Sequence, residues 1–263
     1  MFAASLISCL PGRGGGGSTL ATLKATLKTS RSLHRGLHRL LSEGDPLVVG
    51  TLHEATGLRS VSSGRPASLA GVDVLEARLD HLLGSRLPAT WPLPVIATAR
   101  HPSEGGSGDL PLPVRRRLLE EALEWADAVD VELRSARSLA PVIAAAHQRG
   151  ATVILSHHDF RTTPGLASLR SLAGRAADQG ADLFKVAVTL GTPSDLSRLI
   201  EFQRSASPIP VATMGMGPAG RFSRLVLAGF GAPLCYGWLG KPQVPGQWPA
   251  LGLRALFDQV LPS

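Results

Sequence analysis

Eight short apolar runs, most of them separated by helix-length stretches, constrain this chain more than any other feature. They are 46–52 (PLVVGTL), 73–80 (DVLEARLD), 94–100 (PVIATAR), 128–134 (AVDVELR), 151–157 (ATVILSH), 181–188 (ADLFKVAV), 208–214 (PIPVATM) and 233–239 (PLCYGWL). Amphipathic segments such as LPVRRRLLEEALEWA and SDLSRLIEFQRS lie between them, and Gly150 and Gly180 stand where a helix would end before the next strand. Strands alternating with helices make a parallel α/β sheet. Eight such units within roughly 220 residues predict a closed (β/α)8 TIM barrel rather than an open sheet. The first connection, 53–72, is only 20 residues long, so its helix has the least room.

The barrel is expected over residues 46–263. Residues 1–45 read as a basic, Gly/Ser-containing, flexible extension, with a short helix near 30–43. The formal net charge is +7, of which the first 45 residues carry +4 and the remaining 218 only +3. Basicity is therefore largely a property of the tail, and the barrel has no basic stripe interleaved with aromatics, which argues against nucleic acid as partner. No run of 18 apolar residues suggests a membrane span. The first residues lack the charged n-region of a secretory signal. Cys9 and Cys235 offer neither a disulfide framework nor a zinc spacing, so a reducing, cytoplasmic compartment fits.

The run ADLFKVAV places Lys185 in a strand that is otherwise apolar. Lysine is seldom fully buried without a partner, so this one calls for a reason. Other polar residues gather at the C-terminal ends of the strands, where barrels of this class carry their chemistry. Glu76, Arg78 and Asp80 share one face at period 2. Arg100 ends the third run and leads into HPSEGG with Glu104; Ser156 and His158 share a face of the fifth; Met214, Met216 and Arg224 follow the seventh. Adjacent His157 and His158 point opposite ways and do not easily chelate one ion, so no metal is expected. Taken singly, each feature has a structural explanation: an ion pair for E-x-R, core filling for the methionines, structural contacts for Asp130 and Glu132. Their convergence on one rim favours a site.

A model lysine is neutral in roughly one molecule in a few thousand at pH 7. Burial and nearby guanidinium groups of Arg78, Arg100 and Arg224 would favour the free amine. Such an amine condenses with a ketone to an imine, and the protonated imine acidifies the adjacent carbon. His158, one strand away, has an intrinsic pKa suited to moving that proton, and Glu104 could orient it. The arginines suggest an anionic substrate. From the residues alone, this is Schiff-base chemistry on a small hydroxylated keto acid, without an organic cofactor.

Six motifs, in order, resemble the type I 3-dehydroquinate dehydratase family: E-x-R-x-D at 76–80, R-x-x-x-E-G-G at 100–106, S-x-H-D-F at 156–160, K-V-A at 185–187, T-M-G-M-G-x-x-G-x-x-S-R at 213–224 and P-G-Q at 245–247. The resemblance implies a (β/α)8 enzyme of the shikimate pathway of aromatic amino acid biosynthesis. Lys185 would form an imine with the C3 ketone of 3-dehydroquinate. His158, supported by Glu104, would move the C2 proton and assist loss of the C1 hydroxyl. Glu76, Arg78 and Arg100 would bind ring hydroxyls, Arg224 and Gln247 the carboxylate, and Met214 and Met216 would shape the wall. Gln243 stands in the closing loop where the family commonly has a serine. No metal or cofactor is implied, and whether the chain is a homodimer is left open. The residues leave two other readings: a class I aldolase sharing the lysine, and a degenerate barrel that binds a carboxylated metabolite. A basic RNA- or membrane-associated protein would rest on the tail alone.

Overall fold

The computed structural model describes residues 35–62, 69–242 and 246–261. All eight apolar runs contain strands: β1 (Leu47–Leu52), β2 (Val74–Arg78), β3 (Val95–Thr98), β4 (Ala128–Glu132), β5 (Thr152–Asp159), β6 (Leu183–Thr189), β7 (Val211–Met216) and β8 (Leu234–Trp238). Each pairs in parallel with its sequence neighbour from β1 through β7, and β8 pairs with β1. Helices α1 (Arg35–Ser42), α2 (Ala55–Ser62), α3 (Leu112–Ala122), α4 (Ala140–Arg149), α5 (Leu166–Asp178), α6 (Pro193–Arg204), α7 (Gly220–Gly229) and α8 (Ala250–Val260) complete the described elements. The fold is a (β/α)8 barrel. No helix among the described residues is long and apolar enough to cross a membrane.

The first connection does hold a helix, α2; it is the link from β2 to β3 that lacks one. Gly84, Pro88, Pro92 and Pro94 break any helical register there. The loop replaces the missing helix with side chains. Leu82 is buried, Leu87 and Leu93 pack on the same core, and Trp91 stacks on Trp125 with ring centroids 5.0 Å apart.

Alternation along the strands divides the interior into two cores. One lies between sheet and helices, and the other fills the lower barrel with Val49, Val74, Ile96, Ile154, Leu183 and Leu234. Helix α1 belongs to this second core. Leu37, fully buried, joins the barrel floor, and Leu40 and Leu41 pack beside it at i+3 and i+4 spacing. The packed unit therefore begins before the boundary read at residue 46, because an apolar barrel mouth needs a cover. Residues 1–34 of the expected extension lie outside the described residues.

At the same lower end, three aspartates that precede alternate strands each accept an amide from the first or second residue of the strand before. Asp73 takes Val48 N at 2.8 Å, Asp127 takes Val95 N at 2.9 Å, and Asp182 takes Val153 N at 2.7 Å. The seam between β7 and β8 has no ladder. Arg224, on α7, crosses it instead, donating from Nη1 to Gly215 O on β7 and from Nε to Tyr236 O on β8.

Replacing Leu37 with alanine is expected to lower stability by about 2–5 kcal/mol, the usual cost of emptying a core leucine site. Urea unfolding of the full-length protein measures it; a change within about 0.5 kcal/mol would mean that α1 is a surface appendage.

Candidate active site

Above the apolar floor the inward positions turn polar. Register aligns Thr51 with Glu76, Thr98 with Asp130, and Ser156 with Lys185. Glu76 is held between the two threonines, accepting Thr51 Oγ1 at Oε2 and Thr98 Oγ1 at Oε1, both at 3.0 Å. Asp130 accepts four hydrogen bonds. It takes Lys185 Nζ at 2.8 Å, both Arg100 Nη atoms at 2.9 and 2.8 Å, and Ser156 Oγ at 2.6 Å. Lys185 is 3% exposed, lies 3.7 Å from Glu76 Oε1, and stands 4.0 Å above the centre of the Tyr236 ring.

This corrects the electrostatics drawn from sequence. Guanidinium groups were expected around the lysine, but its direct partners are two carboxylates, and Arg100 reaches it only by sharing Asp130. Burial alone would raise the Asp130 carboxyl; the charges of Arg100 and Lys185 outweigh it and hold that carboxyl well below the usual carboxylate range. Asp130 and Glu132, read as structural, do make structural contacts, and those of Asp130 fall on the lysine itself.

One level higher, His158 and Glu104 form a second unit. Glu104 closes a 3₁₀ turn, Pro102–Glu104, and is 6% exposed. Its Oε2 contacts His158 Nδ1 at 3.0 Å and accepts His158 N at 3.1 Å, which leaves Nε2 of the imidazole for the pocket. Burial pushes the Glu104 carboxyl up to about 7, against the pull of Arg100. Burial, then the charges of Arg100 and Lys185, push His158 well below its ordinary value. Both effects favour the uncharged form of each group.

The turn that carries Glu104 is set by the two glycines of E-G-G. Gly105 has φ +83°, and a Cβ on Gly106 would lie 2.2 Å from Arg100 O. Arg78 fixes the turn from β2. Its Nε and Nη2 bond Asp80 at 3.0 and 2.7 Å, and Nη2 also donates to Gly105 O at 2.9 Å. Asp80 accepts Ser107 N at 2.9 Å in addition.

A pocket of about 550 Å³ opens over these groups. Glu76, Arg78, Arg100, Glu104, His158, Lys185, Met214, Met216, Arg224 and Gln247 all line it. The structure thus brings ten of the sequence-selected residues to one cavity, and the eleventh, Gln243, lies outside the described residues. Arg224 has carbonyl groups as hydrogen-bond partners, among them that of Gly246 in the P-G-Q motif, and burial pushes its pKa down to about 10. Among the described residues no carboxylate forms an ion pair with it, an arrangement able to receive an anion. Sequence reasoning missed His53 and His81, which also line the pocket with ring centroids 5.7 Å apart. Their positions, just after β1 and just after E-x-R-x-D, were the available signal.

A carboxyl whose folded pKa is raised from the ordinary 4.5 to about 7 favours folding fully below 4.5 and loses that contribution as pH rises through 7. Glu104→Gln lacks this titration. Its stability relative to the parent is therefore expected to improve from pH 5 to pH 8, as read by urea midpoints; a constant difference would refute the burial effect.

A sequence model of the type I 3-dehydroquinase family matches residues 61–260. The chain is 33% identical to the 3-dehydroquinate dehydratase of Methanococcoides burtonii over 81% of its own length and 99% of that protein's. With the Klebsiella pneumoniae 3-dehydroquinate dehydratase it shares 31% identity, over 81% of this chain and 90% of the other. Among solved structures, the 3-dehydroquinate dehydratase of Aquifex aeolicus superposes with a TM-score of 0.70 at 27% identity, covering 81% of this chain and 98% of that one. The type I enzyme of Clostridium difficile, solved with covalently modified comenic acid, gives 0.71 at 25% identity, covering 82% and 92%. With the motifs gathered in one pocket and the match running through nearly the whole barrel, the chain belongs to the type I 3-dehydroquinase family of hydro-lyases.

Proposed function

We propose that this chain dehydrates 3-dehydroquinate to 3-dehydroshikimate in the shikimate pathway, through an imine on Lys185. The observation that carries this reading is a buried lysine at the pocket floor with an imidazole–carboxyl pair on the rim beside it. Asp130 and Glu76 position Nζ, so the attacking nitrogen is localised before substrate arrives. The amine adds to the C3 ketone, and the carbinolamine loses water to give a protonated imine.

His158 then takes a C2 proton, with the electrons flowing into the imine to form an enamine. The enamine electrons return to expel the C1 hydroxyl, which leaves as water with a proton supplied by His158. The product imine is finally hydrolysed, restoring the amine. Glu104 keeps Nδ1 engaged throughout, so a single nitrogen faces the reacting carbons. Arg224 and Gln247 accept the substrate carboxylate, while Glu76, Arg78 and Arg100 meet the hydroxyls. Because Arg100 is already clamped by Asp130, the hydroxyl sites are fixed before binding.

Incubation with 3-dehydroquinate and borohydride, followed by intact mass measurement, tests the covalent step. The parent protein should gain a stable adduct and Lys185→Ala should not. A folded parent that gains none, and releases no 3-dehydroshikimate, overturns the proposal. In His158→Ala the adduct is expected to persist while turnover falls by about 10²–10⁴-fold, the usual range for losing a general acid–base group.

A further inference from the structure

Arg115 lies on α3, outside the pocket, in a place where helices of this fold usually carry an aliphatic side chain. It occupies the first position of the buried stripe Arg115, Leu119, Ala122, and it is 2% exposed. A guanidinium taken this far from water is costly unless closely paired. Its partner is Glu132, at the end of β4: Nη1 donates to Oε2 at 2.7 Å, and Nη2 donates to Ser135 Oγ at 3.1 Å.

The other oxygen of Glu132 faces the active site. Oε1 accepts His101 N at 2.7 Å and lies 3.6 Å from Arg100 Nη1. His101 begins the turn that carries Glu104, and its carbonyl accepts Glu104 N at 2.9 Å and Gly106 N at 3.1 Å. Glu132 could therefore draw Arg100 away from Asp130, the carboxylate that Arg100 shares with Lys185. Arg115 stands on the far side of the same carboxylate and balances it.

We infer that Arg115 is a positioning residue: by engaging Oε2 of Glu132, it leaves Arg100 with Asp130 and holds the 101–106 turn so that Glu104 meets His158. This rests on reading His158 and Glu104 as the acid–base pair. The charged groups facing Glu104 are Arg100 from the end of β3, Asp130 and Glu132 from β4, and His158 from β5. Those around the Glu132 end are Arg100, Arg115, His101 and Arg134. Removing the Arg115 charge leaves that of Glu132 less compensated, which opposes ionisation of Glu104.

The test uses full-length protein labelled with ¹³C at glutamate carboxyls, titrated without substrate, with Glu104→Gln assigning the resonance. In Arg115→Gln the Glu104 midpoint, about 7 in the parent, should move to higher pH. In Arg115→Gln/Glu132→Gln, which removes both charges and keeps an acceptor for His101 N–H, it should return toward the parent value. Glu132→Gln alone should move it down. On activity, Arg115→Gln should lower kcat by about 10- to 100-fold with a smaller change in KM, as displacement of a catalytic turn does. A merely structural arginine would lower Tm and leave the midpoint in place.

The proposal is overturned if folded Arg115→Gln titrates like the parent, or if the double variant shifts as far as the single. Should Arg115→Gln not fold, Glu132→Gln and the double variant decide: a downward shift that the second change reverses supports the proposal, and no shift overturns it. Because the titration needs no turnover, it stands apart from the dehydratase assay, and a chain inactive on 3-dehydroquinate would fail that assay alone.

Discussion

The contact on which the site depends is the buried carboxylate of Asp130, shared by Lys185 and Arg100. An isolated ammonium at this depth would be far too costly to keep charged, and an isolated carboxylate equally so. Held together with Ser156, the three groups satisfy one another and fix the direction of Nζ. Because Arg100 also approaches Glu132, the same cluster reaches toward the turn that carries Glu104, so Lys185 and the His158–Glu104 pair are parts of one electrostatic assembly. Single deletions in such an assembly are expected to be non-additive.

The vertical order of the barrel follows from period-2 alternation. Each strand except β7, whose inward residues are Ala212, Met214 and Met216, offers an apolar residue at the floor and a hydrogen-bonding or charged residue above it, with a second such residue at the rim on several. Val74, Glu76 and Arg78 on β2 show the sequence in its plainest form, and Leu183, Lys185 and Ala187 place the lysine at the middle level. The floor supplies burial and rigidity, the middle level holds Lys185, and the rim carries the groups to which the proposed mechanism gives proton transfer and the binding of oxygen atoms. A one-residue slip in any strand would send its polar member into the helix-facing core.

Much of this was legible in the sequence because strand alternation and strand-end position are local properties. The eight runs, the inward lysine and the shared face of Ser156 and His158 needed no long-range knowledge. What was not legible depended on partners far apart in the chain. Asp130 lies 55 residues from Lys185, and nothing local says that a carboxylate rather than a guanidinium will meet the amine. Arg115 is one of three consecutive arginines in VRRRLL, and nothing local says that α3 turns this one against Glu132. Leu37 sat in a basic segment whose composition pointed to a tail, while its role as a floor plug is set by the barrel mouth below which it packs. The missing helix between β2 and β3 was signalled by Gly84 and three prolines, but eight regular strands suggested eight regular units.

The plug formed by α1 also bears on traffic. Among the described residues Leu37 and the apolar floor fill the lower mouth, so on the proposed chemistry what reacts at Lys185 enters and leaves through the upper opening. On the proposed chemistry, two waters are released for each one consumed in freeing the product. All three must pass the same doorway as the acid itself. The chamber is a cul-de-sac, and its turnover depends on the order in which guests share one threshold.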